Sequence, residues 1–192
     1  MTPTRPAGLL LTPGAGASRD NRTLVSVEAA VTALDPPLAV ERVDFPYRLA
    51  GRRMPDRPPV AVAHLRDEAA RMARELGVGT ERLLLGGRSY GGRMCSMAVA
   101  EGLPAAGLVL LSYPLHPPGR PDRLRVEHFG AIDVPVLFVS GDADPFGSPA
   151  ELADHAAAIP GPTTLVTLRG AHDLQGKEAQ VAGAVAEWVG GL

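Results

Sequence analysis

A serine in a glycine-rich turn, between a strand-forming and a helix-forming run, constrains the fold of this chain more than any other feature. Residues 87–91 have the form Gly-x-Ser-x-Gly and lie between an apolar run at 82–86 and a helix-forming run at 92–101. This context predicts a sharp strand-to-helix turn that holds Ser89 at positive φ, with its hydroxyl clear of the sheet. The glycines are needed because a Cβ at either position would collide with the neighbouring strand or helix.

Short apolar runs recur along the chain and alternate with helix-forming stretches. The runs lack period-2 alternation, so they predict six buried parallel strands. The alternation predicts an α/β fold, a three-layer α/β/α sandwich in a single domain that spans 1–192. We expect strands at about 7–12, 39–45, 82–87, 106–112, 135–140 and 163–168, and helices at about 21–34, 60–76, 90–101, 149–158 and 178–190.

The composition excludes several classes of protein. Charged residues make up 21% of the chain and the net charge is −2, which gives no support for nucleic-acid binding. No apolar run approaches the ~18 residues that span a membrane, and the first residues lack the apolar core of a signal peptide. Cys95 is the only cysteine, so no internal disulfide can form. We therefore expect a cytoplasmic protein without nucleic-acid or membrane partners, and leave homo-oligomerisation open.

Acidic and histidine side chains follow the last two predicted strands. Acyl transfer needs a nucleophile, a base and an acid that orients the base. Ser89, Asp144 and His172 occur in that order, each just after a predicted strand, and groups at the carboxyl ends of parallel strands gather at one edge. Asp142 is an alternative candidate for the acid that orients the histidine. We favour Asp144, because Pro145 biases it to an extended conformation that reaches the next loop, while Asp142 suits a turn cap.

Stabilising the oxyanion of such a reaction requires two preorganised N–H donors. One donor is expected from the backbone of Tyr90, directly after the serine. The other is expected from the glycine-rich loop after the first strand, with Ala15 preferred and Gly16 next, because Pro13 cannot donate.

Two long loops are candidates for substrate contacts. In the loop 113–134 and its neighbourhood we expect Leu115, His116 and Phe146 to contact substrate, beside Tyr90. The segment 46–59 is predicted to be irregular. Its four arginines form either a solvated loop or an attractor for an anionic substrate.

Several phrases resemble a known family. The chain is similar to minimal α/β-hydrolases of the dienelactone-hydrolase-like group, and most similar to a branch that includes the testis-expressed hydrolase-like proteins. The resemblance rests on Pro-Gly-Ala-Gly at 13–16, Phe-Pro-Tyr at 45–47, Gly-Arg-Ser-Tyr-Gly-Gly at 87–92, Tyr-Pro-Leu-His-Pro-Pro-Gly at 113–119, Leu-Phe-Val-Ser-Gly-Asp-Ala-Asp-Pro-Phe-Gly at 137–147 and Gly-Ala-His-Asp at 170–173.

Two positions depart from that family. Pro13 stands where this branch often has histidine, which weakens the oxyanion assignment. Ser89 stands where true dienelactone hydrolases have a cysteine nucleophile, so their specific reaction does not carry over. A cap domain commonly follows the strand ending near 112, but the ~20 residues available here are too few for one, so we expect an open cleft.

The resemblance implies a serine hydrolase that cleaves a carboxylic ester or related acyl bond of a small molecule through a Ser89 acyl-enzyme. No cofactor is expected, and no metal, because the cysteine and histidines form no ligand-spaced cluster. Two alternatives stay open at this point. In the first, the protein is a binding or scaffold protein with little or no catalytic turnover. In the second, it uses the same serine, histidine and aspartate to cleave a thioester or a peptide.

Overall fold

Six parallel strands form one open sheet in the computed structural model, which describes residues 5–192. The strand order is β2-β1-β3-β4-β5-β6. The chain adds β2 on one side of β1 and then continues on the other side with β3, so the direction of winding changes between β1 and β3. A crevice opens at the carboxyl ends of the strands at such a point. The strands are β1 Gly8–Thr12, β2 Ala39–Arg42, β3 Leu83–Arg88, β4 Gly107–Leu111, β5 Val136–Gly141 and β6 Thr163–Leu168.

Helices cover both faces of the sheet. One apolar core lies between the sheet and α1 with α6, and a second lies between the sheet and α3, α4 and α5. Successive residues of a buried strand point to opposite faces, so Leu84 belongs to the first core and Leu83 and Leu85 to the second. The helices are α1 Arg22–Thr32, α2 Pro46–Leu49, α3 Pro58–Leu76, α4 Tyr90–Ala100, α5 Pro149–Ala156 and α6 Glu178–Gly190.

The predicted three-layer α/β/α architecture with six parallel strands is confirmed, but the two edge strands are less buried than expected. Every residue of β2 is only partly buried, and β6 consists of partly buried and exposed positions, with Leu165 40% exposed. Each of these strands has a neighbour on one side only, so less of its surface is covered. The four inner strands are almost completely buried.

The segment predicted to be irregular contains a short helix that the sequence analysis missed. Pro46 occupies the first position of α2, where its fixed φ and missing N–H are tolerated. The buried Asp56 accepts a hydrogen bond from the Tyr47 N–H at 2.8 Å and pairs with Arg52 at 2.7 Å. A single buried carboxylate therefore orders this loop.

The long connection between β4 and β5 contains little regular structure. Within residues 5–192, the only regular element in that connection is a single 3₁₀ turn at Phe129–Ala131, and no cap domain covers the carboxyl edge of the sheet. None of the helices in the described part of the chain is both long enough and apolar enough to cross a bilayer.

Replacing Gly87 by alanine is expected to destabilise the fold. A Cβ there would lie 2.5 Å from the carbonyl oxygen of Thr12, which is backbone and cannot easily move. Such overpacking typically costs about 1–3 kcal/mol of unfolding free energy. Gly183 in α6 is the matched control, because nothing lies within 4 Å of its Cβ position, and alanine there favours the helix.

Urea denaturation of both variants measures these effects. We expect a lower midpoint for Gly87→Ala and an equal or higher midpoint for Gly183→Ala. A Gly87→Ala variant as stable as the parent would contradict the proposed crowding at this turn.

Candidate active site

The turn between β3 and α4 holds Ser89 in a strained conformation. Its φ is 49° and its ψ is −112°, so the predicted positive φ is confirmed. Few non-glycine residues adopt positive φ, and such strain persists only where the surroundings enforce it. Here the Ser89 N–H donates to the carbonyl of Leu111 at 2.8 Å, and the Ser89 carbonyl accepts from the Arg93 N–H at 3.0 Å. The hydroxyl position is therefore fixed by backbone on both sides.

A chain of hydrogen bonds connects Ser89 to a buried carboxylate through His172. The His172 Nε2 lies 2.8 Å from Ser89 Oγ. On the other side of the ring, Nδ1 lies 2.8 Å and 3.0 Å from the two carboxylate oxygens of Asp144. Because the carboxylate accepts, the proton belongs on Nδ1, and Nε2 can accept the serine proton. The three side chains are thus arranged for proton transfer away from Ser89.

The structure places Asp144, and not Asp142, against the imidazole. Asp144 is 6% exposed, and its Oδ1 also accepts from the Phe146 N–H at 2.8 Å, which fixes the carboxylate plane. Asp142 is exposed and accepts from the Gly170 N–H at 2.8 Å, so it caps the turn as the sequence suggested.

Of the three expected oxyanion donors, two belong to residues that line the cleft beside Ser89. Tyr90 is the first residue of α4, so its N–H has no acceptor within the helix. Ala15 is exposed and lines the same cleft as Ser89. Gly16 is less suitable, because its N–H donates to the Tyr47 hydroxyl at 3.2 Å.

An open cleft of about 360 Å³ lies over the serine. Its apolar wall includes Phe146, whose ring stacks on the His172 imidazole at 4.1 Å between centroids. The Tyr90 hydroxyl donates to the carbonyl of Asp56 at 2.7 Å, which anchors that ring. The cleft is lined by Ala15, Arg88, Ser89, Tyr90, Arg93, Pro114, Arg125, Phe146 and His172.

Two predicted substrate contacts lie in the interior instead of in the cleft. Leu115 is completely buried in the core, where its side chain packs against Gly147. His116 is 6% exposed, and its ring contacts the carbonyl of Pro117 and approaches Glu151 at the start of α5. The chain turns inward after Pro114, so of the three expected contacts only Phe146 lines the cleft.

Three arginines line the cleft, and the sequence analysis missed them. The arginines considered there, at 48, 52, 53 and 57, are exposed and do not line this cleft. Arg88 donates to the carbonyl of His172 at 3.1 Å, and burial lowers the pKa of its guanidinium. Arg93 is four residues after Ser89 on α4, a spacing that places both on one helix face and was a usable signal.

Cys95 contributes no nucleophile. Burial raises the pKa of its thiol to about 12, and its Sγ contacts the carbonyl of Gly86 at 3.4 Å. Across residues 5–192, no three His, Cys, Asp or Glu side chains are grouped to hold a metal ion.

A parallel sheet with a serine–histidine–aspartate constellation at its carboxyl edge defines a class of enzyme folds, and comparison with known proteins identifies the class. The model of the family described as "Alpha/beta hydrolase domain" matches residues 5–187. The chain therefore belongs to the α/β-hydrolase family. The narrower similarity to testis-expressed hydrolase-like proteins stays a prediction.

Solved structures share this fold over almost the whole chain. A protein described as a hydrolase of the α/β superfamily from Xanthomonas campestris is 21% identical, with a TM-score of 0.73, over 97% of this chain and 99% of that one. A dienelactone hydrolase from Anabaena variabilis is 21% identical, with a TM-score of 0.76, over 97% and 87%. Est1E from Butyrivibrio proteoclasticus with bound ferulic acid is 17% identical, with a TM-score of 0.76, over 95% and 88%.

Replacing Asp144 by asparagine is expected to slow the reaction of Ser89 with a fluorophosphonate probe by roughly 10³–10⁴-fold. The amide would favour the wrong imidazole tautomer, so Nε2 could no longer accept the serine proton. Asp142→Asn is the matched control and is expected to react within a few-fold of the parent rate. Rates of probe incorporation, measured by intact-protein mass spectrometry, compare the two. A slow Asp142 variant with a fast Asp144 variant would reverse the assignment.

Proposed function

We propose that this protein is a serine hydrolase that cleaves a carboxylic ester of a small molecule through a covalent Ser89 acyl-enzyme. The observation that carries the proposal is the continuous hydrogen-bonded chain from Ser89 through His172 to Asp144. Family membership supports hydrolysis as the reaction class. The nature of the bond is our inference from the open cleft and the oxygen nucleophile.

In the first half of the proposed reaction, His172 Nε2 takes the proton of the Ser89 hydroxyl as Oγ attacks the ester carbonyl carbon. The negative charge that forms on the carbonyl oxygen is stabilised by the N–H groups of Tyr90 and Ala15. His172 then donates its proton to the leaving alcohol, and the carbon–oxygen bond breaks.

In the second half, water repeats these steps. His172 removes a proton from the water, whose oxygen attacks the acyl carbon, and then returns a proton to Ser89 Oγ as the acid leaves. Asp144 holds the imidazole in the required tautomer throughout and stabilises its positive charge. Every transferred proton has a donor and an acceptor among these groups, so the proposed cycle uses no cofactor.

Ser89→Ala is expected to abolish hydrolysis of 4-nitrophenyl acetate, with kcat lower by on the order of 10⁴-fold or more. The methyl group fits the same turn, so the fold should be retained, which circular dichroism checks. Ser26→Ala on α1 is the matched control and is expected to keep full activity.

Labelling with the fluorophosphonate probe separates an enzyme from a binding protein. Stoichiometric modification of the parent, absent in Ser89→Ala, supports the proposal. A folded parent protein that neither reacts with the probe nor cleaves any ester would refute it, as would full esterase activity in Ser89→Ala.

The proposed substrate has a short acyl group. The cleft is open, and its apolar lining residues are Ala15, Tyr90, Pro114 and Phe146. Each buried CH₂ contributes ~0.8 kcal/mol, and this gain stops once the chain extends past the wall. We expect kcat/KM for 4-nitrophenyl esters to peak at roughly C2–C6, a range set by the size of the cleft. A steep rise that continues to C12–C16 would indicate an acyl tunnel instead.

A further inference from the structure

We propose that Arg93 and Arg125 form a carboxylate-binding subsite, so that the preferred substrate is an ester carrying a second, negatively charged acid group. This inference rests on the proposed hydrolase function and adds the substrate class. Both arginines line the cleft that contains Ser89 and His172. They come from different elements, Arg93 from α4 and Arg125 from the connection between β4 and β5.

Neither guanidinium has an internal counterion. Among residues 5–192, no carboxylate pairs with Arg93 or Arg125, and neither side chain donates a hydrogen bond to a protein acceptor. The Nε of Arg93 is buried without any hydrogen-bond partner. A buried donor without a partner is unfavourable, and an anion in the cleft would supply the missing acceptor.

Other partly buried arginines of this protein have hydrogen-bond acceptors. Arg42 and Arg71 contact carboxylates, whereas other arginines donate to backbone carbonyls, namely Arg5, Arg66, Arg82 and Arg88. Partial burial elsewhere in the described chain is thus accompanied by an acceptor. The cleft is different, because no carboxylate is among its lining residues, and the nearby Asp144 is already engaged by His172.

The two cations also act on each other and on their surroundings. Burial lowers the pKa of Arg125, and the positive charge of Arg93 lowers it further. Burial lowers the pKa of His128 to about 4, again with a contribution from Arg93, while Glu127 acts in the opposite direction. Positive charge therefore accumulates at this end of the cleft, and an anion would relieve the repulsion.

The geometry favours a compact carboxylate over a larger anion. A guanidinium is planar and binds carboxylates through two parallel hydrogen bonds. The cleft of about 360 Å³ has the size of a small-molecule site. The net charge of −2 gives no general attraction for anions, so the selection must come from this local pair.

Paired substrates that differ in one charge test the inference. The first pair is 4-nitrophenyl hydrogen adipate and 4-nitrophenyl hexanoate, which place the charge on the acyl side. The second pair is 3-acetoxybenzoate and 3-acetoxybenzamide, which place it on the leaving group. We expect kcat/KM for the charged member of at least one pair to exceed that of the neutral member by about 10- to 100-fold, through a lower KM. The pair that shows the preference identifies the side that carries the acid.

Arginine variants connect that preference to the subsite. In Arg93→Gln and in Arg125→Gln, the charged-to-neutral ratio is expected to fall about 10-fold or more. Arg123→Gln is the matched control: it removes the same charge from the same loop at an exposed position outside the cleft, so the ratio should stay the same. The ratio of the parent should also fall as salt is added, because screening weakens the attraction.

Binding of adipate itself gives a readout that does not need turnover. Isothermal titration of the Ser89→Ala protein with adipate is expected to show binding that is lost when Arg125→Gln is added and kept when Arg123→Gln is added. Near-equal ratios in both substrate pairs, or adipate binding that persists in the Arg125→Gln protein, would overturn the inference while leaving the hydrolase proposal intact. If no ester is cleaved and Ser89 is not labelled, the hydrolase proposal fails, and adipate binding alone then decides whether the anion subsite exists.

Discussion

The close passage of the β3–α4 turn over the end of β1 fixes the position of everything else in the site. Cβ atoms at Gly87 and Gly91 would approach the backbone of Thr12 and Pro13 to within 2.5–2.7 Å, so only glycine permits this contact. The turn compressed between these glycines carries Ser89 at a φ of 49°. Because backbone enforces the strain, the serine hydroxyl is held in place before any ligand arrives. The proposed chemistry depends on that preorganisation.

A second close approach brings the acid and the histidine together. A Cβ at Gly141, where β5 ends, would lie 2.6 Å from the carbonyl of Ala171, so the loops after β5 and β6 run in backbone contact. The Ala143 N–H donates to the carbonyl of Gly170 at 3.0 Å across the same interface. Asp144 and His172 therefore lie side by side and face the serine, because β5 and β6 are adjacent parallel strands that end at the same edge of the sheet.

The residues of the cleft distinguish this protein from others, because many proteins share its fold. The solved structures described above resemble it at 17–21% identity, which establishes the architecture and leaves the substrate to the residues of the cleft. Those residues combine a small apolar wall with two arginines that lack internal counterions. A neutral ester would use only the wall, whereas an ester with a second acid group would satisfy both, which is why we connect the substrate class to this pair.

The sequence by itself determined the layers, the six parallel strands and the order of Ser89, Asp144 and His172, because local periodicity and strand ends carry that information. Tertiary structure decided the rest. The amide of Gly16 is engaged by the hydroxyl of Tyr47, 31 residues away. Leu115 and His116 turn inward within a loop that has no periodicity to reveal which side chains face the core. Arg93 and Arg125 line one cleft only because α4 and the β4–β5 connection fold over the same edge of the sheet. Contacts between distant segments depend on how elements pack, and no local pattern of residues records that packing.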